Sequence, residues 1–317
     1  MGVWVTAVYV VLTHSDWAQV ERLSAAILRS SPEARVVIAH DSRRERFPLQ
    51  AENPRIVVFE HGLASDWGSW ELVEATLAAF AQARELFDPD LVVLVSGSDY
   101  PARPLAAWET DAIAADGWIG TAAPLRYSLR WGRRRGQGDD RYTRYAFRWF
   151  RPPWAAAALA APPLWARIRN AVALRLEPVF GIRVVTRGRG LHYGFARWPA
   201  PFSEDRPCYF GSQWLAVRRH ELDSLLDEDL AAGSRLRALY RRTVIPDESA
   251  LVTALAWRGA PSGLPPVSCT RWDVATDAPV TWTAADLDEI VASGSPFCRK
   301  VDPVRSRALL DALDERI

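Results

Sequence analysis

The stretch LVVLVSGSDYP, residues 91–101, decides the fold class. It opens with a continuous run of Val and Leu, which is typical of a central parallel strand covered on both faces. The run ends in small residues and a single acidic residue, Asp99. Ligands of open α/β sheets bind beyond the carboxyl ends of the strands. We therefore expect the carboxylate of Asp99 to face a ligand.

Strand and helix patterns alternate before this stretch. Apolar runs typical of strands occupy 5–12, 34–41 and 55–60. Apolar residues recur at helical spacing between them, first after Ser15, a candidate N-cap, and again over 69–87. This order predicts parallel strands joined by crossover helices. Three segments at the strand ends should then converge on one site: THS (13–15), HDSR (40–43) and SGSDYP (96–101).

The rest of the chain departs from this alternation. Residues 124–181, crowded with Arg, Trp and Pro, look like an excursion from the sheet that includes a helical segment at 164–176. Alternation over 209–219 predicts an antiparallel strand that returns to the sheet. Further helical patterns occupy 220–229, 231–243, 247–258, the segment ending at Gly294, and 304–317. No linker or repeat is evident, so we expect one α/β domain over 1–317, with a mostly parallel central sheet flanked by helices.

Composition excludes several classes of function. The chain has 317 residues and a net charge of +1, so no overall field favours nucleic acid or an anionic membrane. An anionic ligand would need a local cluster such as the arginines at 133–135. Three scattered cysteines, Cys208, Cys269 and Cys298, argue against a disulfide framework and favour a reducing compartment. The apolar N-terminal stretch is too short to span a bilayer and lacks signal-peptide features.

Missing motifs narrow the chemistry further. The chain lacks the glycine-rich dinucleotide fingerprint, the phosphate-binding loop, the zinc-protease helix motif and the serine-hydrolase elbow. It also lacks an Asp-x-Asp pair at the end of an apolar strand, where a divalent cation would bridge carboxylate and diphosphate. DPD (88–90) and DED (227–229) fall in turn or helix contexts. The sequence therefore predicts no metal site.

Without a metal, a leaving diphosphate needs cationic side chains. Arg299 and Lys300 stand together after Gly294. They are either phosphate ligands or a solvated basic pair. In IPDESALVTAL (245–255), Asp247 and Glu248 either cap a helix or supply a general base.

Five segments in this order resemble the core-2/I-branching β-1,6-N-acetylglucosaminyltransferases and the peptide O-xylosyltransferases. They are SDWGSWELVEATL (65–77), LVSGSDYPARPL (94–105), YFGSQWLAVRR (209–219), IPDESALVTAL (245–255) and DLDEIVASGSPFCRKVD (286–302). The similarity runs from about residue 9 to 317. It implies a GT-A-like fold and an inverting, metal-independent transfer of GlcNAc or xylose from a UDP-sugar.

The resemblance also implies roles for particular residues. Glu248 falls on the catalytic base and Lys300 on the diphosphate-binding lysine. The family's second cation has no counterpart at equal spacing, where Asp277 stands, so Arg271 or Arg299 is expected to substitute. The other implied donor-binding residues are Asp41, His14, Trp67 and Asp99, and Asp99 either touches the sugar or braces its loop. The implied acceptor-binding residues are Asp139, Asp140, Arg141, Gln213 and Trp272.

The resemblance divides the domain into a nucleotide-sugar-binding half, 1–123, and an acceptor-binding and catalytic half, 124–317. Animal members of the family carry a membrane anchor and disulfides. This chain begins at its first strand and has three cysteines, so we expect a cytoplasmic, bacterial-type enzyme. Its acceptor would be a saccharide, a glycolipid or a small molecule, with no nucleic-acid partner and no integral membrane segment. The alternative is a non-catalytic nucleotide-sugar or carbohydrate-binding protein.

Overall fold

A computed structural model describes residues 5–49, 51–132, 134–155, 163–185, 189–273 and 278–317. Arg133 and Asp277, which the sequence analysis named, lie outside these residues. Strands and helices alternate in the first part of the chain: β1 (Ala7–Thr13), α1 (Trp17–Ser30), β2 (Arg35–His40), β3 (Ile56–Glu60), α2 (Trp70–Phe87), β4 (Leu91–Ser96), β5 (Asp99–Pro101) and α3 (Leu105–Ala114).

Short strands and two helices make up the middle of the chain. They are β6 (Ala123–Leu125), β7 (Tyr127–Ser128), β8 (Gln137–Gly138), α4 (Tyr142–Ala146), β9 (Phe147–Phe150), α5 (Pro163–Arg175), β10 (Phe180–Val185) and β11 (Gly190–Ala196). The last part holds β12 (Cys208–Phe210), β13 (Ala216–Arg218), α6 (Arg219–Ser224), α7 (Arg235–Tyr240), α8 (Ala250–Ala256), β14 (Ser268–Thr270), β15 (Trp272–Asp273), β16 (Ala278–Pro279), α9 (Leu287–Ala292), β17 (Phe297–Arg299) and α10 (Arg307–Asp314).

The central sheet has the strand order β13-β4-β1-β2-β3. Its last four strands are parallel, and β13 pairs antiparallel with β4. All six residues of β4 are buried. The prediction of a mostly parallel sheet is confirmed, and the returning antiparallel strand is present but shorter than predicted: only Ala216–Arg218 joins this sheet, while β12 pairs with β6.

The two faces of this sheet carry separate hydrophobic cores. Alternate residues of β1 point to opposite faces, as strand geometry requires. Tyr9 and Val11 pack in one core with α1, α3 and α10. Val8 and Val10 pack in the other with α2 and the helices α6 to α8. The continuous apolar runs in the sequence therefore reflect strands covered on both faces.

The caps of the first two helices show what the sequence could locate. Ser69 caps α2 as the pattern indicates, accepting from the Leu72 amide at 3.3 Å. For α1 the cap is Asp16 rather than Ser15, and its carboxylate accepts from the Gln19 amide at 3.3 Å. The carbonyl of Ser15 instead accepts from the Thr13 hydroxyl at 3.1 Å, inside the turn that leaves β1.

The excursion contains a second sheet that the sequence analysis did not predict. Strands β10, β11 and β9 pair antiparallel in that order, and α5 packs beside β10. Phe147 and Trp149 from β9 pack with Val244 and Ile245, just before the predicted catalytic turn. The excursion therefore packs against the residues that lead into that turn.

The predicted helix over 247–258 is shorter than expected. Residues Pro246–Glu248 form a single 3-10 turn, and α8 begins at Ala250. Asp247 is buried, so it does not act as a solvated cap of the helix. Within the described ranges, no helix is long and apolar enough to cross a membrane.

Candidate functional site

The loops after β1, β2 and β4 are joined at the carboxyl edge of the sheet. The Asp41 amide donates to the Thr13 carbonyl at 2.9 Å, and the Gly97 amide donates to the Leu12 carbonyl at 3.0 Å. Parallel strands end at the same edge, so this clustering follows from the topology. The three segments predicted to converge do so.

His14 directly follows β1 at this edge. Burial lowers the pKa of His14, and the positive charges of Arg44 and Lys300 lower it further. The negative charge of Asp41 acts on the same ring in the opposite direction. His14 is therefore within electrostatic range of both Asp41 and Lys300, three residues that the sequence analysis assigned to donor binding.

Asp41 is a buried carboxylate held by two side chains. Arg43 donates to it through Nε at 2.8 Å and a terminal nitrogen at 2.6 Å, and the Ser65 hydroxyl donates at 2.8 Å. Burial alone would raise the pKa of Asp41, but these hydrogen bonds hold it well below its usual range. Arg43 also contacts Asp66 at 2.9 Å. Asp41 is thereby linked to the segment that carries Trp67.

Asp99 is enclosed by protein donors, which fits the bracing of its loop rather than the exposed carboxylate expected from the sequence. It is fully buried, and Oδ2 accepts from the Ser96 amide at 2.8 Å and from Arg299 at 3.1 Å. The other oxygen accepts from the Ser268 hydroxyl. Asp99 therefore braces the loop after β4 and fixes Arg299.

Arg299 is held on two sides. Its guanidinium contacts Asp99 and Ser96 and lies 4.4 Å from the centroid of the Trp214 ring. Asp99 neutralises much of its charge, so Arg299 serves to join β17 to the loop after β4. The predicted halves of the domain are not separate at this site, since β17 pairs with β5.

Lys300 follows β17 and is the only lysine in a chain of 39 basic residues. Its amide donates to the Val280 carbonyl at 3.3 Å, and its carbonyl accepts from the Trp282 amide at 2.8 Å. The Trp282 indole donates to the Arg299 carbonyl at 2.7 Å. These contacts fix the backbone at Lys300, whose positive charge acts on His14.

Arg271 packs on the ring of Trp282, and Trp272 follows it on β15. The Arg271 guanidinium lies 4.5 Å from the Trp282 ring centroid and pairs with Asp286 at 2.8 Å and Glu289 at 2.5 Å. Two carboxylates therefore compensate its charge. Trp272 is 55% exposed on β15. Their described contacts do not bring either residue to Glu248.

Glu248 lies in a turn whose backbone is held from several directions. Ile245 has φ of 55°, a left-handed conformation that a β-branched residue rarely adopts. Its amide donates to the Gly68 carbonyl at 3.2 Å, and its carbonyl accepts from the Tyr145 hydroxyl at 3.1 Å. Such strain persists where surrounding contacts fix it, often at functional sites. The segment carrying Trp67 and the turn carrying Glu248 are thus in direct contact.

A network of buried hydroxyl groups also holds the turn that carries Glu248. Ser249 donates to the Tyr209 carbonyl at 2.6 Å and lies 2.7 Å from the Tyr240 hydroxyl. Tyr240 donates in turn to Thr253 at 2.9 Å. Each of these groups finds a partner, as buried polar groups require.

The Glu248 side chain is 23% exposed and forms an ion pair with Arg144 at 2.8 Å. Arg144 belongs to α4, more than 100 residues earlier, and sequence analysis missed it because it stands in a long run of arginines. A carboxylate in such a pair is in the ionised, proton-accepting form. Glu248 therefore meets the first chemical requirement of a general base.

Two predicted acceptor-binding residues lie near Glu248. Arg141 Nε donates to both carboxylate oxygens of Asp139, each at 2.9 Å. The Arg141 guanidinium lies 3.9 Å from the Phe210 ring centroid. The hydrogen bonds to Asp139 raise the pKa of Arg141, and the negative charge of Glu248 also acts on Arg141 and raises its pKa further. Hydrogen bonds from Arg141 lower the pKa of Asp139.

Asp140 points to a different part of the excursion. It pairs with Arg135 at 2.7 Å and lies 3.8 Å from Arg183. It lines a cavity of about 440 Å³ between α5 and β10. Asp139 and Asp140 are therefore adjacent in sequence but pair with different arginines.

Gln213 belongs to a short segment whose two ends contact the turn of Glu248 and Arg299. The Gly211 amide donates to the Glu248 carbonyl at 2.9 Å, and Trp214 stacks on Arg299. The short segment 211–214 thus connects the turn of Glu248 to Arg299 at the end of β17. Gln213 is half-buried within it.

Replacing Gly211 with Ala is expected to destabilise this connection. A Cβ at Gly211 would lie 1.9 Å from the Thr121 carbonyl oxygen, so the backbone must move. Overpacking of this kind costs about 1–3 kcal/mol, measurable by urea unfolding. Gly259→Ala is the control, because nothing lies within 4 Å of its Cβ position. Equal stability of the two variants would contradict the close approach.

Asp247 is a buried carboxyl next to Glu248. Burial raises its pKa to about 7, and the neighbouring charge of Glu248 acts in the same direction. Its Oδ1 has no hydrogen-bond partner among the described residues. The group is thus held close to neutrality beside an ionised one, which separates the two carboxyls chemically.

The raised pKa predicts a pH dependence of stability. The folded protein holds the Asp247 proton up to about pH 7, whereas an unperturbed Asp, with a pKa of 3.8, releases it earlier. Stability should therefore fall as pH rises between these values, by at most about 1.4 kcal/mol per pH unit. Asp247→Asn should remove this contribution in urea unfolding measured across pH, while the exposed Asp205→Asn should not. Parallel pH profiles for wild type and Asp247→Asn would contradict it.

The described residues contain no group of three or more His, Cys, Asp or Glu side chains that could hold a metal ion. The three cysteines have free thiols. No family model matches the chain, and no curated protein is similar to it.

Proposed function

We propose that the protein is an inverting glycosyltransferase with a GT-A-like fold, which moves GlcNAc or xylose from a UDP-sugar to an acceptor hydroxyl without a divalent metal. One observation carries the proposal. Segment 211–214 joins the turn of Glu248 to Arg299, the last residue of β17, which directly precedes Lys300. A base and cationic residues linked through one short segment, at the carboxyl edge of a parallel sheet, fit a displacement with an anionic leaving group.

In the proposed reaction, the acceptor oxygen forms a bond to the anomeric carbon of the sugar as the bond from that carbon to the UDP oxygen breaks. The hydroxyl proton passes to Glu248. The electron pair of the broken bond leaves on the diphosphate, where Lys300 compensates the negative charge. Attack and departure on opposite sides of the carbon invert its configuration.

The environment of Asp99 supports a metal-independent reaction. A carboxylate that bridged a cation to the diphosphate would have to turn an oxygen toward the ligand. Both oxygens of Asp99 are instead engaged by protein donors, and one of those donors is Arg299. In this proposal Lys300 supplies the compensating charge.

The nucleoside would lie at the other end of the site. Asp41 presents an ionised carboxylate near His14, and Trp67 packs against the core around Ile245. Asp139 and Arg141, beside Glu248, would bind acceptor hydroxyls through paired hydrogen bonds. The free thiols support our further proposal of a cytoplasmic location.

Calorimetric titration in EDTA tests the donor. UDP, UDP-GlcNAc, UDP-xylose and UDP-glucose would be compared with a GDP-sugar, and each titration repeated with manganese. Uridine-selective binding that manganese leaves unchanged is the expected result and identifies the sugar. Binding that requires manganese would contradict the metal-free mechanism. Donor binding without any turnover would favour the non-catalytic alternative.

A further inference from the structure

Positive charge is concentrated in one segment of the chain. Residues 124–200 contain 16 arginines and only three acidic residues, whereas the whole chain has 39 basic and 38 acidic side chains. The remainder of the protein is therefore acidic. The net charge of +1 conceals this separation, so the expectation that the protein has no field for an anionic surface does not apply to this segment.

The helix of this segment, α5, turns an apolar face outward. Leu164, Ile168, Val172 and Leu176 follow one another at intervals of four, the spacing that places side chains on one face of a helix, and Trp165 lies beside them. All five are exposed, with Leu164 at 64% and Trp165 at 63%. The opposite side of α5, including Ala173 and Leu174, lines the cavity toward β10.

The apolar surface continues past the end of α5. Val179 is exposed, and its carbonyl accepts from the Ala196 amide at 3.0 Å, which places it beside Phe195. Phe195 is 50% exposed and belongs to an aromatic group with Phe180 and Tyr193. Trp198, two residues beyond β11, is 96% exposed.

Arginines flank this surface. Arg167 and Arg175 are exposed on α5, and Arg148 lies 5.5 Å from the ring centroid of Phe150, next to the aromatic group. Long basic side chains can lay their apolar stems along such a surface and keep the charge at its rim. The pattern of Trp, Leu and Ile on one side and Arg around it is typical of helices that lie in a membrane interface.

We propose that the outer face of α5, continuing through Val179, Phe195 and Trp198, docks on the surface of an anionic phospholipid bilayer. The excess of arginine provides the charge complementarity, and the exposed apolar side chains would enter the boundary between headgroups and acyl chains. A nucleic acid would match the arginines and the aromatic rings, but it offers no apolar phase for Leu164, Ile168 and Val172. Lipid binding is measured without donor or acceptor, so this inference is independent of the proposed reaction.

Co-sedimentation of the full chain with vesicles tests the proposal. Vesicles of phosphatidylcholine would be compared with vesicles that also contain phosphatidylglycerol, at low and high salt. We expect strong binding to the anionic vesicles that weakens as salt screens the arginines. Binding to neither kind of vesicle, or equal binding to both, would overturn the proposal.

Two variants connect the binding to α5. Leu164→Asp combined with Ile168→Asp should weaken binding about tenfold or more, because each lost apolar side chain removes its transfer free energy. Trp165→Ala, which removes one exposed side chain, should also weaken vesicle binding. The matched control is Leu86→Asp, which changes an exposed leucine on α2. Unchanged binding by the α5 variants, or tight binding to duplex DNA that vesicles do not displace, would overturn the proposal.

Discussion

Glu248→Gln is expected to lower turnover about 100- to 10,000-fold, the usual contribution of a positioned general base. Gln retains the size of the side chain and one oxygen acceptor, but it cannot take the hydroxyl proton. Affinity for UDP should be unchanged, because in the proposed arrangement Glu248 serves the acceptor side. UDP release from the preferred UDP-sugar gives the turnover, and calorimetry gives the affinity.

The matched control is Glu228→Gln. Glu228 also forms an ion pair with an arginine, Arg258 at 2.7 Å, but on the surface. Its replacement should leave turnover unchanged. Near-normal turnover of Glu248→Gln would remove the assigned base.

Lys300→Ala should reduce both UDP affinity and turnover. Removing a preorganised charge contact to a leaving group typically costs about 100- to 1,000-fold in rate. Lys300→Arg retains the charge but changes the shape of the donor group, so it should recover part of the affinity and less of the rate. Calorimetry in EDTA and UDP release measure the two effects.

Arg175→Ala is the control for a lost positive charge, since Arg175 lies on the outer face of α5 and takes no part in the proposed site. UDP affinity that is the same in Lys300→Ala and wild type would show that the diphosphate is held elsewhere.

The central sheet could be predicted because its signal is local and strong. Strands such as β4 are buried on both faces, so burial favours apolar residues at successive positions, and the run from Leu91 to Val95 is continuous. The second sheet gave no comparable signal. Its strands mix aromatic residues with Gly and Arg, and the pairing of Tyr193 with Phe150 joins distant positions.

The predicted start of α8, at residue 247, was wrong for a related reason, since the helix begins at Ala250. Pro246 followed by two acidic residues fits the beginning of a helix in local terms. The left-handed conformation of Ile245, its contact with Gly68 and the burial of Asp247 come from tertiary packing. Local propensity is a weak guide where such contacts decide the backbone.

The candidate site could be predicted in its positions but not in its pairings. The residues after β1, β2 and β4 had to meet, because parallel strands end at one edge. The partner of Asp99 could not be inferred, since Arg299 lies 200 residues later. For the same reason Arg144, the partner of Glu248, was not recognised within its arginine-rich surroundings.

Protection of Lys300 from chemical modification tests the central claim most directly. Since Lys300 is the only lysine in the chain, acetylation of its side chain can be followed by mass spectrometry without interference from other lysines. With EDTA present, we predict that UDP slows modification of Lys300 and that uridine, which lacks the diphosphate, does not. Modification at the same rate with and without UDP, or protection only when manganese is added, would contradict a diphosphate held by Lys300 in the absence of metal.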